Sequence, residues 1–202
     1  MLSRITRLVV GLALYGVGCA LTVAAGLGVD PWTVFAQGLS RVTGVGIGWI
    51  TNIVGLAVLL LWIPLRQKPG LGTIANILLV GTSMQIALGV LPHPDQLWLQ
   101  ALLLVSGVAL VAVASGLYIG ARFGPGPRDG LMTGLHGRFG WPIWACRLLV
   151  EGSVLVLGWL LGGTVGVGTV VFALGIGPLV HVAMPMLAFT KPAPRTRRLA
   201  RV

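Results

Sequence analysis

Acidic residues are scarce in this 202-residue chain. Four Asp and Glu stand against 14 Lys and Arg, and charged residues of both signs make up only 9%. A soluble domain carries about 25% charged residues, so the shortage excludes a water-exposed surface for most of the chain. Cysteine is equally sparse: Cys19 and Cys146 both fall inside apolar runs, where a thiol behaves as a small hydrophobe, and neither a disulfide framework nor a metal site follows. There is no Ser/His/Asp or Cys/His arrangement, no metal-spaced Cys or His, and no pair of intramembrane carboxylates, since Glu151 is the one acidic residue well within an apolar run. No enzymatic activity, cofactor or metal is therefore expected. A formal charge of +10 would point to nucleic acid in a soluble protein, but no basic segment interleaved with aromatics exists to carry such binding.

What the chain does contain is apolar sequence, 56% by composition with a mean hydropathy of +0.96. A bilayer crossing needs roughly 20 predominantly apolar residues, and runs between breakers give six spans at about 5–26, 46–65, 72–91, 97–121, 141–161 and 167–189. Residues 1–190 read as one polytopic domain and 191–202 as a basic cytoplasmic tail. Met1 to Arg7, an apolar run and Ala24-Ala25-Gly26 have the outline of a cleavable signal peptide. The same register recurs later in the chain, so a retained first transmembrane helix is expected instead. Segments 28–44 and 124–140 are rich in Gly, Pro and polar residues, too polar to cross lipid alone, and read as loops, surface helices or re-entrant elements.

A shift of 96 positions superimposes the two halves without a gap. Gly28, Pro31, Gly38, Leu39 and Gly44 fall on Gly124, Pro127, Gly134, Leu135 and Gly140, and Gly70, Gly72, Thr73 and Gly81 fall on Gly166, Gly168, Thr169 and Gly177. Each half reads as helix, Gly/Pro segment, helix, Gly-x-Gly-Thr break, helix. Three crossings per half is an odd number, so the second half enters the membrane from the opposite side. The expected fold is an all-α membrane protein of six transmembrane helices arranged as two inverted-topology three-helix repeats. Loop charges agree. Arg4, Arg7, Arg66, Lys68, Arg122, Arg128, Arg138 and the tail mark one side as cytoplasmic, while the connections at 93–95 and 162–166 carry no Lys or Arg and the first carries only Arg41. A bacterial inner-membrane protein with both termini in the cytoplasm is expected.

Gly124-Pro125-Gly126-Pro127-Arg128-Asp129-Gly130-Leu131-Met132, preceded by Gly116-Leu117-Tyr118-Ile119, resembles the YczE/YitT-type bacterial membrane proteins. Gly28-Val29-Asp30-Pro31-Trp32-Thr33-Val34, Arg147 with Glu151, and Gly162 to Thr169 resemble the same family. The resemblance spans all but the basic tail and implies a small polytopic inner-membrane protein, with no substrate or mechanism attached.

Candidate site residues come from the cost of placing ionisable groups in lipid, about 2.5–3.5 kcal/mol at a helix centre on insertion scales, which makes them face cavities and pair. Arg147 and Glu151 lie four apart on one face of the fifth span, able to form a structural pair or to hold an anionic group and a proton or cation respectively. Arg128 follows Pro127 near a helix start, where free N–H groups favour an anion, with Asp129 capping that end or pairing with Arg128. Asp30 before Pro31-Trp32 reads first as an N-cap. Asn76, Gln85 and His181 are polar groups deep in the third and sixth spans, and Gln85 and His181 occupy equivalent repeat positions, pointing to a shared interface. The Gly-x-Gly-Thr breaks serve either close helix approach or as helix starts lining a central cavity; neither continues as a nucleotide loop. The leading functional reading is a secondary transporter or exporter of a small solute with an anionic group, working by alternating access. A solute-binding subunit that needs an energising partner and a non-transport scaffold or assembly factor stay open. The expected partners are lipid and a small molecule, and six short spans enclose so little volume that a homodimer fits the same picture.

Overall fold

The structure, a computed structural model, describes residues 1–187, so the basic tail at 191–202 lies outside the described residues. Among the described residues there are eight helices and no strand: α1 (Leu2–Ala25), α2 (Pro31–Thr43), α3 (Ile47–Leu61), α4 (Leu71–Leu88), α5 (Leu97–Gly120), α6 (Pro127–Phe139), α7 (Ile143–Leu160) and α8 (Val167–Leu187). Five of them, α1, α4, α5, α7 and α8, are long and apolar enough to cross a membrane. The second expected span differs. Its helix, α3, has 15 residues, a rise of about 22 Å against a hydrocarbon core of about 30 Å. Together with α2 it reaches the length and hydropathy of a span, but the pair is bent by 113°.

The Gly/Pro segments resolve into two parts each. Residues 26–30 and 122–126 are non-helical, and each is followed by a 13-residue helix with Pro in its first turn. Proline is tolerated there because its missing N–H would have no intrahelical partner in any case. Both short helices end on a left-handed glycine, Gly44 and Gly140.

The 96-residue offset is written into the backbone itself. Helices α2, α3 and α4 start at 31, 47 and 71, and α6, α7 and α8 start at 127, 143 and 167. Every residue with positive φ among those described falls into an offset pair: Gly26 with Arg122, Gly28 with Gly124, Gly44 with Gly140, and Arg66 with Gly162. Gly28 and Gly124 have φ of 106° and 117°, a region closed to side chains. A Cβ on Gly28 would also strike the backbone of Gly166 at 2.6 Å.

Contacts between the halves recur in exchanged form. The amide of Gly72 donates to the Phe123 carbonyl at 2.9 Å, and that of Gly168 donates to the Leu27 carbonyl at 2.8 Å. Thr73 Oγ1 adds a bond to the Pro125 carbonyl at 2.8 Å. So the Gly-x-Gly-Thr breaks are helix starts that grip the strap entering the opposite half, their close-approach use. Helix α1 packs along α5 through the centre, with α4 on α1 and α8 on α5. Arg4 donates to the Ala121 carbonyl and Arg7 to that of Leu187, which gathers the chain start and the ends of α5 and α8 on one face.

Size is traded at the equivalent contacts of the short helices. Gly158 of α7 lies against Val34 and Phe35 of α2, whereas in the other pairing Trp62, 1% exposed, lies against Gly130 of α6 and donates Nε1 to the Pro127 carbonyl at 3.1 Å. A Cβ at Gly130 would overlap the Trp62 ring. Gly130→Val is expected to lower stability by about 1–3 kcal/mol through overpacking, read as a fall in the melting temperature of the purified protein. Gly137→Ala, also within α6 but where a Cβ meets open space, should not lower it, since Ala is the better helix former.

Candidate functional site

The two short helices converge. The starts of α2 and α6 border one cavity of about 520 Å³, whose walls also include residues of every other helix. Asp30 caps α2, accepting from the amides of Trp32 at 3.2 Å and Thr33 at 3.4 Å and from the Thr33 hydroxyl. The same carboxylate, 2% exposed, accepts from Arg128 Nη1 of α6 at 3.1 Å. The guanidinium in turn lies over the Trp32 ring, 5.2 Å from its centroid, within cation–π range. Trp32 and Arg128 are themselves an offset pair, so a cation and the aromatic face that receives it occupy equivalent places. The indole Nε1 of Trp32 is buried with no hydrogen-bond partner.

Asp129 does not take the expected role. It neither caps α6, whose N-cap Gly126 contributes no side chain, nor pairs with Arg128, which is turned across to Asp30. Its carboxylate accepts from the Tyr118 hydroxyl of α5 at 3.3 Å. Arg147 and Glu151 form the expected i,i+4 pair at 3.1 Å, half-exposed on α7 and bordering the same cavity.

Of the residues singled out in the sequence, Asp30, Trp32, Asn76, Arg128, Asp129, Arg147, Glu151 and His181 all line this cavity. Gln85 does not. Its Oε1 accepts from the Gly48 amide at 3.0 Å and ties α4 to the start of α3, so the repeat-equivalent positions 85 and 181 face different surroundings. Tyr15 and Tyr118, not among the expected site residues, also line the cavity and meet edge to face at 6.1 Å. They are the only tyrosines in the chain, and their placement inside apolar helices was the available signal.

The charge inventory is unlike that of the whole protein. Three of the four acidic residues line the cavity but only two of the 14 basic ones, a formal balance of −1 with His neutral. Both guanidiniums already hold carboxylates. Each does so through a single N–H, Arg128 Nη1 and Arg147 Nε.

The walls are not symmetric. Helix α3 packs along α4, with Gly48 and Asn52 against Gly81 and Gly55 against Ile77. Their counterparts α7 and α8 do not pack along each other, and the cavity reaches between them, bordered by Glu151 and by Ala173, Gly177 and His181. Helix α7 packs instead on α2 and α8 on α5, and the turn joining α7 to α8 is tied to α2. Arg41 donates to the Gly162 carbonyl and to Thr164 Oγ1, and Gln37 accepts from the Thr164 amide at 3.0 Å.

The sequence profile of a family of unknown function, DUF6198, matches residues 2–185. An uncharacterized protein of Haemophilus influenzae is 40% identical over 186 residues, 92% of this chain and 85% of that one. The uncharacterized membrane protein YczE of Bacillus subtilis is 29% identical over 187 residues, 92% and 87% of the two chains, and the uncharacterized protein YyaS of the same organism is 29% identical over 182 residues. The resemblance read from the Gly/Pro segments is thus to the right family. No solved structure matches the chain.

Breaking a buried ion pair strands the surviving charge. Asp30→Ala is expected to destabilise the protein by about 3–5 kcal/mol, with part of the loss recovered in Asp30→Ala/Arg128→Met. Arg147→Ala, at a half-exposed pair, should cost less than Asp30→Ala. Denaturation of the four proteins in one detergent checks the ranking.

Proposed function

We propose that this chain, which belongs to the DUF6198 family of membrane proteins of unknown function, is a small secondary transporter that moves a solute by alternating access between two inverted halves. The carrying observation is the asymmetry of equivalent walls: α3 and α4 are closed on each other while α7 and α8 stand apart around a cavity bordered by two broken-helix starts. Transporters built from inverted repeats bind their solute where discontinuous helices meet, and exchange the conformations of the two halves to change access. In this reading residues 26–30 and 122–126 enter the membrane from opposite sides, and α2 and α6 return to the side from which each came.

Exchange of the halves specifies the second state. The contact between Asn52 and Gly81 would be remade between Leu148 and Gly177, and α7 would close on α8 as α3 leaves α4. The grip of each helix start on the opposite strap stays fixed, and supplies the hinge. Loop charges support a cytoplasmic N-terminus, which places the face gathered around Arg4, Arg7 and Ala121 inside.

A cysteine-free background, Cys19→Ala/Cys146→Ala, separates this reading from a static scaffold. In membranes, Gly55→Cys/Ile77→Cys, whose Cβ atoms lie 3.8 Å apart in the state described above, within disulfide range, is expected to cross-link in that state, and the equivalent Glu151→Cys/Ala173→Cys in the opposite one, so both pairs should form. Cross-linking at 55/77 with none at 151/173 under any condition would overturn alternating access.

A further inference from the structure

The transport reading leaves the solute open, and the cavity narrows it. Resting on that reading, we propose that the solute is an organic cation, held with its charge at Asp129 against the rings of Tyr15 and Tyr118.

Two of the three cavity carboxylates are already committed, Asp30 to Arg128 and the α2 cap, Glu151 to Arg147. Among the described residues Asp129 forms no ion pair within 4 Å, though the charges of Arg128 and Arg147 act on it; its carboxylate accepts a single side-chain hydrogen bond, from the Tyr118 hydroxyl. A carboxylate has capacity for about four such bonds, so the cavity holds one underused negative charge. Beside it the two tyrosines meet edge to face, and the quadrupole of an aromatic ring attracts a cation within about 6 Å of its centre. In a protein of net charge +10, a cavity whose lining carries a formal charge of −1 favours a cation over an anion.

The same geometry selects against a metal ion. Among the described residues no group of three or more His, Cys, Asp or Glu gathers to hold one, and about 520 Å³ falls in the range of pockets for drug-sized molecules. Much of the wall is aliphatic or aromatic, with Phe172, Ile176, Val180 and Met184 along α8, and takes the organic body of the solute. The gap between α7 and α8 is flanked by exposed apolar side chains such as Leu148, Leu174 and Val182, so a cation with a lipophilic body can approach it from the bilayer.

Tetraphenylphosphonium and tetraphenylborate have nearly the same shape and opposite charge, which makes them the discriminating probes. With the purified full-length protein, equilibrium dialysis is expected to give saturable binding of the phosphonium and much weaker binding of the borate. Asp129→Asn should weaken phosphonium binding at least about tenfold. Asp95→Asn, an exposed loop acid outside the cavity, should not change it. Equal or tighter borate binding, unchanged affinity in a folded Asp129→Asn protein, or no saturable binding of either the phosphonium or the smaller benzyltrimethylammonium would each overturn the assignment. The wild-type preference for one charge does not depend on the variant folding. If both cysteine pairs cross-link and no cation binds, the solute class fails and alternating access stands.

Discussion

In hydrocarbon every backbone N–H and C=O needs a partner from the protein itself, and this apolar fold interrupts its helices at two equivalent places. The non-helical straps at 26–30 and 122–126 are affordable because the opposite half completes them. Gly72 and Gly168 donate their amides to Phe123 and Leu27, and Thr73 reaches the Pro125 carbonyl. Helix starts have free donors, and straps have free acceptors, so each half supplies what the other is missing. The two halves are thus joined by reciprocal backbone hydrogen bonds.

Several other features depend on that interlock. It brings the starts of α2 and α6 to a common cavity, and so lets Asp30 of one half neutralise Arg128 of the other at 3.1 Å. It leaves α7 packed on α2 and α8 on α5, with the turn between them strapped to α2 by Arg41 and Gln37, while their facing walls stay apart.

The two halves have kept the backbone and diverged in side chains. Trp62 on Gly130 replaces Gly158 on Val34 and Phe35, a compensated exchange of volume. Trp32 and Arg128 occupy equivalent places and stack on each other. Glu151 stands where the first half has Gly55, and His181 where it has Gln85. The chemistry is therefore concentrated on one side of a symmetric frame.

Much was legible in the sequence because lipid imposes simple rules on composition. The apolar runs, the near absence of acids, and the recurrence of Gly28-x-x-Pro31 as Gly124-x-x-Pro127 determined an all-helical membrane chain with two related halves, and Pro31 and Pro127 determined where the short helices begin. The repeat was in fact deeper than residue matching could reach, since Arg122 adopts the left-handed backbone of Gly26 and Arg66 that of Gly162, positions with no side-chain likeness. What only the tertiary structure decided is partnership. Arg128 lies next to Asp129 in the chain yet pairs with Asp30, 98 residues away, and Gln85 turns to α3 although its equivalent His181 borders the cavity. Spacing along one helix constrains neighbours three and four residues apart, but contacts between helices depend on how the two halves interlock, and no local pattern carries that information.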